Sequence, residues 1–344
     1  MQFEKIILNK KRNVSLTVMT QEVEGEFRGV AARPAVLILP GGGYMFCSDR
    51  EAEPVAMPYL AAGFQAFILR YSVLENAVWP QPLKDYEQAM ALIREKAEKW
   101  HVIPDQIAVI GFSAGGHLAG AAATMSENRP NAAILGYPVI RSETALEVNA
   151  HAPDIAEHVD EKTCPCFLFA TRTDSAVPIQ NTLDMLNALN RYHTSFECHI
   201  YGYGPHGYST GDPSLMEHTV RIPDRAADWV GDSIAWLRDV FGSIGADGQQ
   251  PPAIRAHVTD DAETWLSLDC SVNRIFGNPE ALRVLADTVA VMREKIVPYA
   301  PGMSFEEMMQ AVGRMTLRDL LAEHNIHIER FDELDAALHK IPNI

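Results

Sequence analysis

The chain has 344 residues, 47% hydrophobic and 22% charged, with a formal net charge of −16. The length exceeds what one core usually organises, so a large domain with a smaller one is expected. The acidic balance argues against nucleic acid and anionic membrane as partners, because both repel a negative surface.

The first residues, MQFEKIILNKKRNVSL, hold no long apolar run ending in a small-residue cleavage site, so no secretory signal is expected. No run of about 18 apolar residues occurs that could span a membrane as a helix. Cysteines stand at 47, 164, 166, 198 and 270. An odd count without a framework predicts reduced thiols and a cytoplasmic location. Cys164 and Cys166 fall on one face of a strand, where small thiols pack well, and the spacing is read as packing rather than as a metal or redox site.

In chain order, FEKIIL (3–8) and VSLTVMT (14–20) read as two antiparallel opening strands. AVLIL (35–39), FQAFILRY (64–71), IAVIG (107–111), AAILGY (132–137), CFLFAT (166–171) and FECHIY (196–201) follow. Continuous apolar runs predict strands covered on both faces, as in a parallel sheet between helices. Between them, Leu83, Tyr86, Met90, Ile93, Ala97 and Trp100 recur in steps of three and four and mark one buried helical stripe. Segments 178–190 and 226–241 carry similar patterns. The alternation predicts a doubly wound α/β sheet in a domain spanning 1–242.

SIGADGQQPPAIRA (243–256) has no periodicity and reads as a linker. Residues 257–344 read as a small all-α domain. Asn278 precedes Pro279 as an N-cap would. Ser304 with Glu307, and Thr316 with Asp319, have capping-box spacing. A last amphipathic helix is expected at 332–340.

The strongest chemical signal is Gly111-Phe112-Ser113-Ala114-Gly115-Gly116, between the strand IAVI and the helix-like HLAGAAATM. A serine on so tight a strand-to-helix turn needs small neighbours and is lifted above the sheet as a nucleophile. The second signal is Pro40-Gly41-Gly42-Gly43-Tyr44, directly after AVLIL. Acyl transfer passes through an oxyanion that needs backbone N–H donors already in place, and glycines let the backbone approach it.

PGGGY with GFSAGGH resembles the α/β-hydrolase esterases related to hormone-sensitive lipases and acetyl-xylan-type esterases. Many relatives have His where this chain has Pro40; the loop loses a side chain that orients it but keeps its amides. The family pattern implies Gly42, Gly43 and Ala114 as oxyanion donors. The fold orders its triad Ser, then Asp or Glu, then His. Asp174 follows the strand CFLFAT, and His206 lies in the Gly-flanked loop after FECHIY. Both are at carboxyl ends of strands, where α/β sheets place their sites. Ser113 is therefore expected as nucleophile, His206 as base and Asp174 as the third member.

Asp154 and Asp160 precede the relevant strand, His117 lies on the elbow helix, His199 within a strand, and His151 and His158 in a connecting segment, so all fit less well. No HExxH, P-loop or dinucleotide fingerprint appears, and the triad requires no cofactor and no metal.

The resemblance covers about residues 30–240 and extends to Ser48-Asp49-Arg50-Glu51-Ala52-Glu53-Pro54, Leu69-Arg70-Tyr71-Ser72-Val73 and Tyr137-Pro138-Val139-Ile140. It implies a short acyl ester, acetyl above all, on a sugar or small alcohol. Tyr44, Phe46, Trp79 and Tyr208 lie in or near the site loops and are candidates for stacking on a sugar ring. Amide or formamide hydrolysis by the same triad, as in arylformamidase-like or peptidase relatives, is the alternative chemistry. A non-catalytic binding protein on a hydrolase fold is the third. The helical tail is open to packing against the hydrolase, covering its site, or dimerising into a homo-oligomer.

Overall fold

A computed structural model describes residues 1–23, 30–216, 221–245, 248–258, 265–299, 302–327 and 330–343. It divides into two compact units, Met1–His257 and Val258–Ile344.

The first unit holds an eight-stranded sheet: β1 (Gln2–Asn9), β2 (Val14–Thr20), β3 (Arg33–Leu39), β4 (Gln65–Arg70), β5 (Val102–Phe112), β6 (Ala132–Gly136), β7 (Cys166–Thr171) and β8 (Phe196–Tyr201). Their order is β1-β2-β4-β3-β5-β6-β7-β8. The pairs β1–β2 and β2–β4 are antiparallel, and the rest of the sheet is parallel. All eight runs predicted as strands form strands. β5 begins at Val102, earlier than its apolar run, because Arg33 pairs with Val102 across a register shift.

Alternate side chains enter opposite layers, as the pleat requires. Leu37, Leu39, Phe67, Leu69, Val109, Leu135 and Leu168 pack into one layer. Val36, Ile38, Ile68, Ile110, Ile134, Phe167 and Phe169 pack into the other. Both faces are covered, so the runs read as unbroken apolar segments. The edge strands β1 and β8 are mostly exposed or half-buried.

The helices of this unit are α1 (Glu53–Ala61), α2 (Gln81–Glu95), α3 (Ala114–Thr124), α4 (Ser142–Val148), α5 (Gln180–Arg191) and α6 (Trp229–Phe241). α2 buries the predicted stripe through Leu83, Tyr86, Met90 and Ile93. Regular helix stops at Glu95, and Ala97 and Trp100 reach the same core from a following turn. The segment predicted as a helix over 226–241 opens with a 3-10 turn, Asp224–Asp228, before α6.

The expected linker 243–256 lies within the first unit. Its backbone is tied down: Gln250 N–H donates to the Ser243 carbonyl (2.8 Å), Ala253 N–H to that of Asp239 (2.7 Å), and Ser195 N–H to that of Ala256 (2.9 Å). Hydrogen bonds at Ser243, Gln250, Ala253 and Ala256, not periodicity, hold these described residues, and composition does not record them.

The second unit carries α7 (Val272–Phe276), α8 (Pro279–Val284), α9 (Ala286–Ile296), α10 (Phe305–Ala311), α11 (Leu317–Glu323) and α12 (Phe331–Leu338). They share an apolar core that includes Leu268, Ile275, Leu285, Met292, Phe305, Leu317, Leu320 and Leu338. Asn278 caps α8 by accepting from the N–H groups of Glu280 and Ala281. Ser304 and Glu307 form a complete capping box. Thr316 accepts from Asp319 N–H at the start of α11. Among the described residues of the chain, no helix is long and apolar enough to cross a membrane.

A buried ion pair closes the sheet's antiparallel end. The Asp85 side chain, 1% exposed, accepts from Arg12 Nη2 at 2.8 Å. It also accepts from Ser72 N–H at 2.9 Å and from Gln81 Nε2 at 3.1 Å. Removing one partner strands the others in low dielectric. Asp85→Ala is therefore expected to destabilise the first unit by about 3 kcal/mol. Urea unfolding followed by tryptophan fluorescence checks this; an unchanged midpoint would contradict it.

Candidate active site

Ser113 connects β5 to α3 in a single residue, with φ 54° and ψ −118°. A side chain there is rare and costs conformational energy, which the surroundings must hold in place. Ser113 N–H donates to the Gly136 carbonyl (3.0 Å), and its own carbonyl accepts from His117 N–H (3.0 Å) and Val139 N–H (3.1 Å). The turn also demands glycine next to it. A Cβ at Gly115 would stand 2.2 Å from the Leu39 carbonyl oxygen, inside any allowed contact.

The other two expected residues meet this serine. His206 Nε2 lies 2.8 Å from Ser113 Oγ. His206 Nδ1 lies 2.7 Å from Asp174 Oδ2. The Asp174 side chain is 1% exposed and that of His206 22%. Asp174 Oδ1 accepts from the N–H groups of Ala176 (2.9 Å) and Val177 (2.8 Å), so the carboxylate is held while Oδ2 faces the imidazole. The acid and histidine loops are fastened together: Thr171 Oγ1 donates to the Gly204 carbonyl (2.9 Å), and Gly204 N–H donates to Thr173 Oγ1 (3.0 Å).

The glycine loop after β3 lies beside the serine. Gly42 has φ 130°, and a Cβ there would sit 2.1 Å from the Phe46 carbonyl oxygen. That carbonyl approach requires glycine. Among the described residues no acceptor takes the N–H of Gly42, Gly43 or Ala114. Three donors beside the serine therefore remain available to a developing oxyanion. Gly42, Gly43 and Phe46 line a cleft of about 280 Å³ together with Ser113 and His206. Val139, Val148, Ala176 and Val177 supply its apolar wall, and Arg50, Glu51, Thr144 and Glu147 its polar groups.

Glu51 lies in the Ser48–Pro54 segment of the resemblance, where the motifs give it no role. It is buried, and Gly41 N–H donates to its Oε2 at 2.8 Å. The Tyr137 hydroxyl donates to its Oε1 at 2.6 Å. Burial pushes the Glu51 carboxyl above its usual range, and the bonds from Tyr137 and Gly41 pull it back. The signal was present in Ser48-Asp49-Arg50-Glu51, the acidic segment just after the glycine loop.

The aromatic residues expected to stack on a sugar divide. Phe46 is 56% exposed and borders the cleft. Tyr44 and Tyr208 are corrected: at 2% and 0% exposure neither offers a face to a ligand. Tyr208 packs on Tyr137 and Phe169. Tyr44 turns inward because its hydroxyl finds a buried partner, His117 Nδ1, at 2.8 Å. Trp79 is half-buried, with its ring edge-to-face on His117 at 5.2 Å.

The rival groups have structural partners. Asp154 accepts from Ser142 N–H and Ala156 N–H. Asp160 pairs with Arg129, whose hydrogen bonds hold its carboxyl down at about 2. His199 on β8 contacts Glu197 at 2.8 Å. His117 Nε2 lies 3.0 Å from the Pro153 carbonyl, which can only accept. The proton is thus on Nε2, and Nδ1 accepts from Tyr44: a neutral imidazole anchoring the glycine loop from beneath.

A mostly parallel sheet with a serine elbow after β5, an acid after β7 and a histidine after β8 defines the α/β-hydrolase class. Comparison with known proteins agrees. The sequence model of the BD-FAE family matches residues 28–151, the stretch holding both the glycine loop and Ser113. An α/β hydrolase, MGS-M1 from a Medee basin deep-sea metagenome library, is 43% identical, with TM-score 0.64, covering 70% of this chain and 98% of its own. The endo-1,4-beta-xylanase B of Butyrivibrio fibrisolvens is 30% identical over 229 residues, 55% of this chain and 36% of that protein. The acetylxylan esterase of Xylanibacter ruminicola is 29% identical over 199 residues, 52% of this chain and 41% of that protein. The chain thus spans well under half the length of these two curated relatives. It belongs to the α/β-hydrolase family.

Burial lowers the His117 pKa to about 4. The folded state then holds the neutral form while the unfolded chain takes up a proton near pH 6.5. This contribution to stability is complete above about pH 6.5 and is lost as the pH falls toward 4, worth about 3 kcal/mol in all. His117→Gln is expected to flatten the decline of stability across that window. Urea midpoints at pH 7, 5.5 and 4 measure it, and parallel declines in both proteins would refute it.

Proposed function

We propose that the chain is a serine carboxylesterase that removes short acyl groups, acetyl above all, from carbohydrate or small-alcohol esters. The observation that carries this reading is the hydrogen-bonded relay of Ser113, His206 and Asp174 opening on a cleft with unused backbone donors.

In the proposed mechanism neutral His206 takes the Ser113 hydroxyl proton on Nε2 as Oγ bonds to the ester carbonyl carbon. Asp174 holds the Nδ1–H tautomer and stabilises the imidazolium. The carbonyl oxygen becomes an oxyanion facing the N–H groups of Gly42, Gly43 and Ala114. Collapse breaks the bond to the alcohol oxygen, which leaves with the proton from His206. Water then gives a proton to His206 and its oxygen to the acyl carbon. A second collapse frees the carboxylic acid and returns the proton to Ser113.

The short-acyl preference is supported by the cleft itself. At about 280 Å³, walled by Val139, Val148, Ala176 and Val177, it is small for a ligand site. A carbohydrate alcohol is supported by the polar groups Arg50, Thr144 and Glu147 beside exposed Phe46, and by the likeness to an acetylxylan esterase.

Wild type is expected to hydrolyse p-nitrophenyl acetate faster than the butyrate and far faster than the octanoate, and to release acetate from acetylated xylo-oligosaccharides. Ser113→Ala should lose about 10⁴-fold or more in kcat/KM. Preference for octanoate would reject the short-acyl reading, and cleavage of N-formylkynurenine or peptide amides in place of esters would reject ester hydrolysis. Activity surviving in the variant would reject the nucleophile.

A further inference from the structure

We propose that Glu51 is a positioning residue that locks the oxyanion loop and the histidine loop into one geometry. The inference rests on the serine-hydrolase reading but not on which ester is the substrate.

Five bonds link this carboxylate and its segment to the two loops, two of them made by the carboxylate itself. Gly41 N–H donates to Oε2 at 2.8 Å, and the Tyr137 hydroxyl donates to Oε1 at 2.6 Å. The same Tyr137 oxygen accepts from Ser209 N–H at 3.0 Å, three residues beyond His206. Ser209 Oγ donates to the Arg50 carbonyl at 2.5 Å, and Ser48 N–H to that of Gly41 at 2.9 Å. Residues 48–51 are thus bonded to the loop that precedes Gly42 and Gly43 and to the loop that carries His206.

Each part is held from outside. Arg70 at the end of β4 pairs with Asp49 at 2.7 Å and lies 3.7 Å from Glu53, which pins the segment from both sides. Tyr137 sits at φ 34°, a conformation that costs energy for a side-chain-bearing residue. Its ring lies edge-on to His206 with centroids 5.1 Å apart. At Gly41 a Cβ would come within 2.7 Å of Glu51 Oε2 and 2.8 Å of the Phe112 carbonyl oxygen.

Glu51 borders the cleft, and a cleft carboxylate is a candidate acid or base. Both of its oxygens, however, are engaged by protein donors, and Asp174 already occupies His206 Nδ1. Positioning is what the geometry supports. Interactions that hold donors for the oxyanion act on the transition state and leave ground-state binding nearly untouched.

The test compares wild type, Glu51→Gln and Tyr137→Phe with two readouts: p-nitrophenyl acetate hydrolysis, and phosphonylation of Ser113 by a fluorophosphonate. Phosphonylation needs the nucleophile, the base and the oxyanion donors but no particular ester. Glu51→Gln keeps the shape but presents an NH₂ to one of two donors. It is expected to lower kcat and the phosphonylation rate together by about 10- to 100-fold, with KM changed less than about twofold. Tyr137→Phe keeps Glu51 and should lose about 10-fold in both. The double variant should be no slower than the slower single one, because both act through one network. Folded variants, checked by thermal melting, that phosphonylate at the wild-type rate would overturn the inference, as would a loss confined to KM. Additive losses in the double variant would overturn the shared network. A wild type that phosphonylates but does not cleave acetyl esters would reject the substrate reading while the variants still judge Glu51. A wild type that does neither would reject both.

Discussion

The backbone reversal at Ser113 needs α3 to start almost against β3, and the rest of the site is arranged around that approach. Gly115 lies so near the carbonyls of Leu39 and Pro40 that a Cβ would come within 2.2 and 2.5 Å of them. One close contact therefore places two things: the serine at the head of α3, and the start of the glycine loop at the end of β3. Residues from two distant parts of the sequence, the head of α3 and the start of the glycine loop, are brought together by a backbone contact, which tolerates little drift.

Buried polar groups then fix what apolar packing would leave loose. The Tyr71 hydroxyl donates to the Pro40 carbonyl at 2.6 Å, His117 anchors Tyr44, and Glu51 takes Gly41. All three hold the same loop, each from a different element. A partnered polar group in low dielectric is directional and costly to break, so a glycine-rich segment with little packing of its own acquires one conformation. The loop is thus oriented by Tyr71 and Glu51 through its backbone and by His117 through the Tyr44 hydroxyl, without a side chain at Pro40 taking part.

The second unit is built on another principle. Its helices are short, from five residues in α7 to eleven in α9, below the length at which a helix is stable alone. Caps at Asn278, Ser304 and Thr316 satisfy exposed N–H groups, and a common apolar core supplies the remainder. Arg318 ties the ends of this unit's sequence, with Nε and Nη2 at 2.6 and 3.0 Å from Asp269 and its guanidinium 4.8 Å from the Phe331 ring.

Several features are legible in the sequence alone. Strands buried on both faces must be apolar throughout, so each announced itself as an unbroken run. The elbow is legible because only glycine, having no Cβ, lets another backbone approach where a Cβ would meet it at about 2 Å, as at Gly111 and Gly115. The meeting of Asp174 and His206 with Ser113 is legible because residues at the carboxyl ends of parallel strands converge above the sheet. Other features depend on what packs over a residue, and no local pattern records that. Tyr44 and Tyr208 sit in site loops but face inward, since a hydroxyl partner and an aromatic cluster lie beneath them. Residues 243–256 look like a linker, yet Ala253 bonds back to Asp239 in α6 and Ala256 accepts from Ser195 N–H, far away in the sequence. Glu51 is an ordinary acidic residue in the sequence. It becomes the meeting point of two loops only because the fold brings Gly41, Tyr137 and Ser209 together around residues 48–51. Sequence determined the elements and the order of the reactive groups, whose requirements are local. Tertiary structure decided burial and polar partnership, which arise between residues far apart in the chain.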